Sequence, residues 1–309
     1  MNTSNQVSGS VVSGAASHAL SARISLKIQD YLELIKFRLT LLVVFSAAVG
    51  FLTGVKGSYP LSHLFWLIVG GIAITGASNA INQILEKDID KLMTRTCNRP
   101  LAAGRMANIE ALVIAGVLGV GGIILLWQTF NATAGVLASI SLLSYAFIYT
   151  PLKRVHSIAV LVGAIPGALP IGIGYVCATG ELDLIALVLF GIQFLWQFPH
   201  FWSIAWVQYD DYLKANIMLL PSSNGKDKFS AFQNVLYSFT LLVLSIIPYY
   251  LGWIGLAGAL VVIFMGVMFF VQSLQLWIRC DDQSARKLML GSFAYLPVVQ
   301  LAMLIDKTF

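Results

Sequence analysis

The sequence predicts an all-α integral membrane protein with about nine transmembrane helices around a central cavity. Two observations predict the transmembrane helices. The 309 residues are 58% hydrophobic and only 11% charged, whereas a soluble domain has about 25% charged residues. Apolar runs of roughly 17 to 25 residues recur along the chain, which is the length that a helix needs to cross a bilayer. Because lipid offers no partner to a backbone N–H group, we expect each run to be helical.

Nine such runs define the predicted spans, and a polar segment precedes them. The segment 1–33 is rich in serine, and we expect it to be a disordered cytoplasmic tail in front of a transmembrane domain at 34–309. The predicted spans are 39–55, 61–85, 109–128, 131–150, 158–178, 184–207, 231–251, 254–276 and 288–305.

The basic residues predict the orientation of these spans. If there are nine, the N-terminus lies on the same side as the loops after the second, fourth, sixth and eighth spans. Of the 19 lysines and arginines, 17 lie on that side, and only Lys56 and Lys307 lie opposite. The positive-inside rule places the richer side in the cytoplasm. The net charge of +5 therefore reflects membrane topology and does not indicate a nucleic-acid partner.

A first group of oxygen-bearing side chains ends the second span. Asn82, Glu86 and Asp90 are spaced four residues apart, so a helix places them on one face. Neighbouring carboxylates repel each other unless a cation compensates, and oxygen ligands suit Mg²⁺ held together with a substrate phosphate. The alternative is a solvated helix end that carries charge.

A second acidic pair ends the sixth span. Asp210 and Asp211 are adjacent, so on a helix they point about 100° apart and only one of them need face a shared site. The sequence leaves open which one does. Because both acidic groups end helices on the same side of the membrane, we favour a shared metal site over two solvated helix ends.

Basic side chains accompany the acids. Arg95 and Arg99 follow the first group, and Lys153 and Arg154 end the fourth span, just after Tyr149. Guanidinium forks and lysine point charges could orient a diphosphate. The alternative is that they are ordinary positive-inside residues.

One histidine lies inside a span. His200 falls in the aromatic run 196–202 of the sixth span, and an ionisable residue at such depth is a candidate functional group. It could bind a metal centre, hold a substrate carboxylate or move a proton. A purely structural hydrogen bond to a neighbouring helix is the alternative.

These motifs resemble the UbiA superfamily of intramembrane prenyltransferases, and in particular its members that farnesylate heme b. The resemblance implies nine helices around a central cavity, and transfer of a prenyl group from its diphosphate with Mg²⁺. The segments that carry it are 82–105, 149–154, 196–221 and 285–306.

The resemblance also implies roles for the residues above. Asn82, Glu86 and Asp90 would hold Mg²⁺ and diphosphate, with Asp210 or Asp211 completing a second metal site. His200 would contact heme through its iron or a propionate. Heme b and farnesyl diphosphate would be the substrates, in a bacterial inner membrane, and the product would pass to a heme A synthase or a terminal oxidase assembly. The residues implied to hold the diphosphate are Arg95, Arg99, Tyr149, Lys153 and Arg154.

Three other functions compete with this interpretation. A related prenyltransferase would use a quinone precursor or chlorophyllide as acceptor. A secondary transporter would show internal repeats and charge near the midplane, whereas the acids here end helices and no convincing repeat is visible. A structural or assembly protein would have no reason to collect acids and bases on one face.

Overall fold

The computed structural model describes residues 23–309, and within that range nine helices are long and apolar enough to cross a membrane. All nine coincide with the predicted spans, so the predicted fold class is confirmed. The fourth span consists of α5, a π-helix at Ser144–Tyr149 and α6. In chain order, the helices are α1 (23–34), α2 (Phe37–Gly54), α3 (Leu61–Asp90), α4 (Asn108–Thr129), α5 (Ala132–Leu143), α6 (Thr150–Leu152), α7 (Ala159–Thr179), α8 (Leu184–Val207), α9 (Tyr209–Lys214), α10 (Lys228–Tyr250), α11 (Leu256–Arg279) and α12 (Asp282–Ile305).

Two helices extend at least five residues beyond the predicted spans on the side that carries the acids. Helix α3 continues to Asp90, and α12 begins at Asp282. Hydropathy marks the part of a helix that lies in lipid, whereas the helix itself ends where its backbone hydrogen bonds end. At α12 the early start has a local cause, because the Asp281 carboxylate accepts a 2.7 Å hydrogen bond from the Ser284 backbone N–H and caps the helix.

Part of the predicted tail has regular structure. Residues 23–34 form α1, and the remainder, 1–22, lies outside the described residues. Helix α1 is held where Leu34 is completely buried and where Arg105 makes a 2.8 Å ion pair with Asp30. These contacts join segments about 70 residues apart, so no local pattern in the tail predicts them.

Helices α2 and α7 lie in backbone contact. A Cβ atom added at Gly50 would lie 2.0 Å from the carbonyl oxygen of Ile171, and one added at Gly174 would lie 1.8 Å from that of Ala47. Small residues allow membrane helices to approach this closely, and van der Waals packing then drives their association. The pair α2–α7 is therefore fixed by glycine on both sides.

A buried hydrogen-bond chain joins four helices near the middle of the bundle. The amide of Gln300 on α12 donates to Ser46 on α2 at 3.1 Å and to Gln193 on α8 at 2.9 Å. Gln193 in turn donates to the carbonyl of Gly167 on α7 at 2.8 Å. Each amide thus has partners in a medium that offers no water, and the chain fixes the register of these helices.

We predict that Gly174→Ala destabilises the protein, because the new methyl group overlaps the α2 backbone, which has no flexible end to move aside. Overpacking of this kind costs about 1–3 kcal/mol. Gly172→Ala is the matched control, since a Cβ there meets no atom within 4 Å. Thermal unfolding in detergent should show a lower midpoint for Gly174→Ala only; equal midpoints would contradict the close approach.

Candidate active site

Three polar side chains are buried at the end of α3. Asn82, Glu86 and Asp90 are each 1% exposed, and the Asn82 amide donates to Glu86 Oε2 at 3.0 Å across one helical turn. A solvated helix end would leave such groups in water. The structure therefore rules out that alternative for the first acidic group.

Glu86 is paired through one oxygen only. Lys153 Nζ lies 2.7 Å from Glu86 Oε2 and 5.5 Å from the centre of the Tyr149 ring. The other oxygen, Oε1, is buried and has no hydrogen-bond partner among the described residues. A buried acceptor without a partner is costly, so Glu86 Oε1 fits the position of a bound cation.

Asp90 continues the site by one further turn of α3. Arg99 NH1 lies 2.8 Å and 2.7 Å from the two carboxylate oxygens of Asp90, and the Thr96 hydroxyl donates to the Asp90 carbonyl at 2.9 Å. The segment after α3 thus folds back over its own helix end. This brings Arg99 to the acidic group of α3, and its role in holding a diphosphate stays a prediction.

The structure adds Lys36, which belongs to none of the predicted motifs. Lys36 precedes α2 with a left-handed φ of 47°, and its Nζ donates to Asn82 Oδ1 at 3.2 Å. Burial, and then the nearby charges of Arg99 and Lys153, lower the pKa of Lys36 well below its ordinary value. Three basic side chains, those of Lys36, Arg99 and Lys153, surround Asn82, Glu86 and Asp90. Such donors suit an anionic ligand.

The π-helix Ser144–Tyr149 positions the fourth span against α3. The next residue, Thr150, accepts a 3.2 Å hydrogen bond from the Asn82 amide, so the widened turn meets the acidic group directly. Gly163 on α7 makes room for Tyr149, because a Cβ at that glycine would lie 2.6 Å from the tyrosine ring. Single π turns are frequent at functional sites.

The two carboxylates of the second acidic pair differ in their surroundings. Asp211 accepts hydrogen bonds from the backbone N–H groups of Thr94 at 2.8 Å and Arg95 at 3.2 Å, and from Lys214 at 3.0 Å. Burial alone would raise the pKa of Asp211, but these bonds outweigh it and lower the pKa to about 2. Asp210 is exposed and has no ion-pair or hydrogen-bond partner in the part of the chain described.

Two open clefts adjoin these groups. One of about 480 Å³ is lined by Asp210 and Asp211, and one of about 610 Å³ is lined by Lys36 and Arg99. Arg95 lines both clefts. Arginine and lysine side chains on the walls suit a bound phosphate group.

Two predicted residues make their contacts elsewhere. Arg154 donates to the Leu85 backbone carbonyl on α3, which occupies part of its guanidinium group. His200 Nδ1 lies 2.8 Å from the Ser292 hydroxyl on α12. Their described contacts therefore place neither side chain in the acidic group of α3.

No ready-made metal site exists within residues 23–309, since no three His, Cys, Asp or Glu side chains there converge as ligands. Glu86 and Asp90 are each engaged by a basic side chain instead. Mg²⁺ is commonly bound by one or two carboxylates together with substrate phosphates. The residues fit a metal that is held jointly with a diphosphate.

Comparison with known proteins identifies the family. Residues 43–296 match the model of the UbiA prenyltransferase family. The chain is 44% identical to the protoheme IX farnesyltransferase of Cytophaga hutchinsonii over 91% of this chain and 98% of that protein. It is 45% identical to that of Flavobacterium johnsoniae, over 90% and 94%. The chain belongs to the UbiA prenyltransferase family, which confirms the predicted resemblance and the predicted enzyme class.

Solved structures share the fold. A structure described as that of digeranylgeranylglyceryl phosphate synthase superposes with a TM-score of 0.75 at 19% identity, over 91% of this chain and 98% of that one. A UbiA homologue from Archaeoglobus fulgidus bound to DMAPP and Mg²⁺ gives 0.69 at 15% identity, over 89% and 99%. At these identities the likeness establishes the fold alone.

We predict that Asp211→Ala loosens the turn after α3. Removing the carboxylate leaves the Thr94 and Arg95 N–H groups without an acceptor, and hydrogen bonds to a charged group contribute about 1.5–3 kcal/mol. Amide hydrogen exchange at residues 92–98 should become faster. Asp210→Ala is the control, because it alters the exposed neighbour and should leave this exchange unchanged; equal acceleration in both variants would contradict the assignment.

Proposed function

We propose that this protein transfers the farnesyl group of farnesyl diphosphate to a vinyl group of heme b, giving heme O and diphosphate. The observation that supports the transfer chemistry is the buried group in which the basic side chains of Lys36, Arg99 and Lys153 surround two carboxylates, and in which Glu86 Oε1 has no partner among the described residues. The basic side chains suit a diphosphate, and the unpartnered carboxylate oxygen suits a Mg²⁺ ion held together with it. The choice of farnesyl and heme follows from the names of relatives that are up to 45% identical.

The chain's own cations hold the diphosphate in this proposal. Lys153 contacts Glu86 from the end of the fourth span, Arg99 contacts Asp90 from the segment after α3, and Lys36 contacts Asn82 from the residue before α2. Arg95 contacts both clefts, and its position is fixed by a 3.1 Å hydrogen bond to the Tyr212 hydroxyl. Charge-assisted hydrogen bonds from fixed donors orient the leaving group.

Asn82, Glu86 and Asp90 would hold Mg²⁺, with Asp210 reaching a second ion from the neighbouring cleft. Bound Mg²⁺ would neutralise the charge that develops on the departing diphosphate. We assign Asp211 a positioning role, because its carboxylate is occupied by the Thr94 and Arg95 backbone.

The reaction forms a C–C bond and a C–O bond, and it breaks the C–O bond of farnesyl diphosphate, the π bond of the vinyl group and one O–H bond of water. The C–O bond between the farnesyl group and diphosphate breaks, and the allylic carbon bonds to the terminal carbon of the vinyl group. A water molecule adds to the other vinyl carbon and releases a proton, which leaves a hydroxyl group. The Tyr149 ring, which lies against Lys153, can shield an allylic cation from water.

We prefer heme to other acceptors because the relatives that are 44% and 45% identical are named protoheme IX farnesyltransferases. A quinone precursor or chlorophyllide acceptor is the runner-up, since the diphosphate site would be the same. A central cavity wide enough for both substrates stays a prediction.

The nine helices make this a multi-pass membrane protein. We propose further that the acidic site faces the cytoplasm across a bacterial inner membrane, because the basic residues concentrate on that side. Delivery of the product to a heme A synthase or a terminal oxidase assembly also stays a prediction.

The reaction can be tested in membranes that contain the purified chain. With heme b, farnesyl diphosphate and Mg²⁺, mass spectrometry of the extracted hemes should find a heme heavier by one hydroxyfarnesyl unit, and EDTA should abolish it. Consumption of farnesyl diphosphate with unchanged heme would redirect the proposal to another acceptor. If folded protein changes neither substrate, the proposed function is wrong.

We predict that Glu86→Gln lowers turnover by about 10²–10³-fold. The substitution removes the negative charge that would hold a cation, and it also removes the counter-ion of Lys153. Asp88→Asn is the matched control, since Asp88 lies on the same helix but pairs only with the exposed Lys91. Initial rates of heme O formation compare the two variants. Turnover by Glu86→Gln at the rate of the control would contradict the role of Glu86.

A further inference from the structure

A groove of about 500 Å³ lies between α11 and α12 on the outer surface of the helix bundle. Along α11 its lining extends from Phe264 to Gln275, which is about 16 Å along a helix. The hydrocarbon core of a bilayer is about 30 Å thick, so the groove has about the depth of one leaflet. None of the residues that line it belongs to the acidic site.

The groove is polar at one end and apolar at the other. Gln275 and Lys287 line the end near the turn between α11 and α12, whereas Phe264, Val267 and Met268 line the deeper end. These three apolar side chains are 62%, 44% and 41% exposed on a helix that is long and apolar enough to span the membrane. A headgroup above an acyl chain has the same order of polarity.

Gln272 is a polar residue in the middle of the groove wall. Its Oε1 atom is buried and has no hydrogen-bond partner in the part of the chain that is described. Gly291 on α12 makes room for the amide, because a Cβ atom there would lie 1.9 Å from Oε1 and 2.9 Å from Nε2 of Gln272. The hydrocarbon interior offers no water to such a group, so the helix packing leaves the amide in need of a polar partner.

Lys287 supplies positive charge at the polar end of the groove, where its side chain is exposed. The acids of the adjoining turn are already engaged. Asp281 accepts a 2.7 Å hydrogen bond from the Ser284 N–H, and Asp282 forms a 2.7 Å ion pair with Lys226. Lys287 forms no ion pair within residues 23–309, and a lysine at a membrane surface attracts anionic lipids.

We propose that this groove binds one anionic phospholipid. Its phosphate would lie at Lys287, an ester carbonyl would accept from the Gln272 amide, and an acyl chain would follow the apolar end. A second copy of the chain is a poorer match, because an apolar helix packed there would offer neither the amide nor the ammonium group a partner. The lipid would contact both α11 and α12, and a ligand that binds only the folded state stabilises it.

The experiment uses the purified, delipidated full chain in detergent. Phosphatidylglycerol and phosphatidylcholine with the same acyl chains are titrated, and bound lipids are counted by native mass spectrometry. The wild type should bind one phosphatidylglycerol about 5-fold more tightly than phosphatidylcholine. Lys287→Gln should remove this preference by weakening phosphatidylglycerol alone. Gln272→Leu should weaken both lipids about 5-fold, because both carry ester carbonyls.

Arg286→Gln is the matched control, because Arg286 is the exposed neighbour of Lys287 and does not line the groove. This variant should keep the preference for phosphatidylglycerol. The inference would be overturned if Lys287→Gln kept the full preference, if Arg286→Gln lost it equally, or if the wild type bound no lipid in a one-to-one ratio.

Thermal unfolding gives a second readout for Gln272. Phosphatidylglycerol should raise the melting midpoint of the wild type more than that of Gln272→Leu. If Gln272→Leu instead raised the midpoint by the same amount with and without lipid, the amide would be only a cost to stability and the lipid site would be wrong. A lipid-free dimer that Gln272→Leu dissociates would assign the groove to a second copy and also contradict the inference.

Discussion

The ion pair between Lys153 and Glu86 is the interaction on which the site depends. It joins the fourth span to the end of α3 inside the bundle, where Glu86 is almost completely buried. Removing one partner of such a pair leaves a buried charge and costs about 3–5 kcal/mol. The pair uses only Glu86 Oε2, so the contact that holds two helices together leaves Glu86 Oε1 buried without a partner among the described residues.

The rest of the site is built outward from that pair. Thr150 follows a π-helix and bonds Asn82, while the segment after α3 returns Arg99 to Asp90. Asp211 then joins this segment to α9, because its carboxylate accepts hydrogen bonds from two backbone N–H groups of the segment. The two acidic motifs, far apart in sequence, are therefore joined by hydrogen bonds to the backbone. That geometry also separates Asp211, whose carboxylate accepts these bonds, from Asp210, which has no such partner among the described residues.

Much of the fold could be predicted because lipid restricts the choices. Nine long apolar runs had to be helices, and the observed spans agree with all of them. The spacing of Asn82, Glu86 and Asp90 also placed them correctly on one helical face. Lys36 could not be found in this way, since its partner Asn82 is 46 residues away and a single lysine before a span looks like any positive-inside residue.

The sequence by itself determined the class of protein, the number of spans and the side that carries the acids and bases, because hydropathy and charge act locally along the chain. Only the tertiary structure decided which polar atoms are already engaged in hydrogen bonds or ion pairs. It shows that Arg154 donates to a backbone carbonyl of α3 and that Asp211 accepts from the turn after α3. It also shows that Glu86 Oε1 has no hydrogen-bond partner among the described residues. These outcomes depend on contacts between distant helices, which no periodicity in a single segment contains.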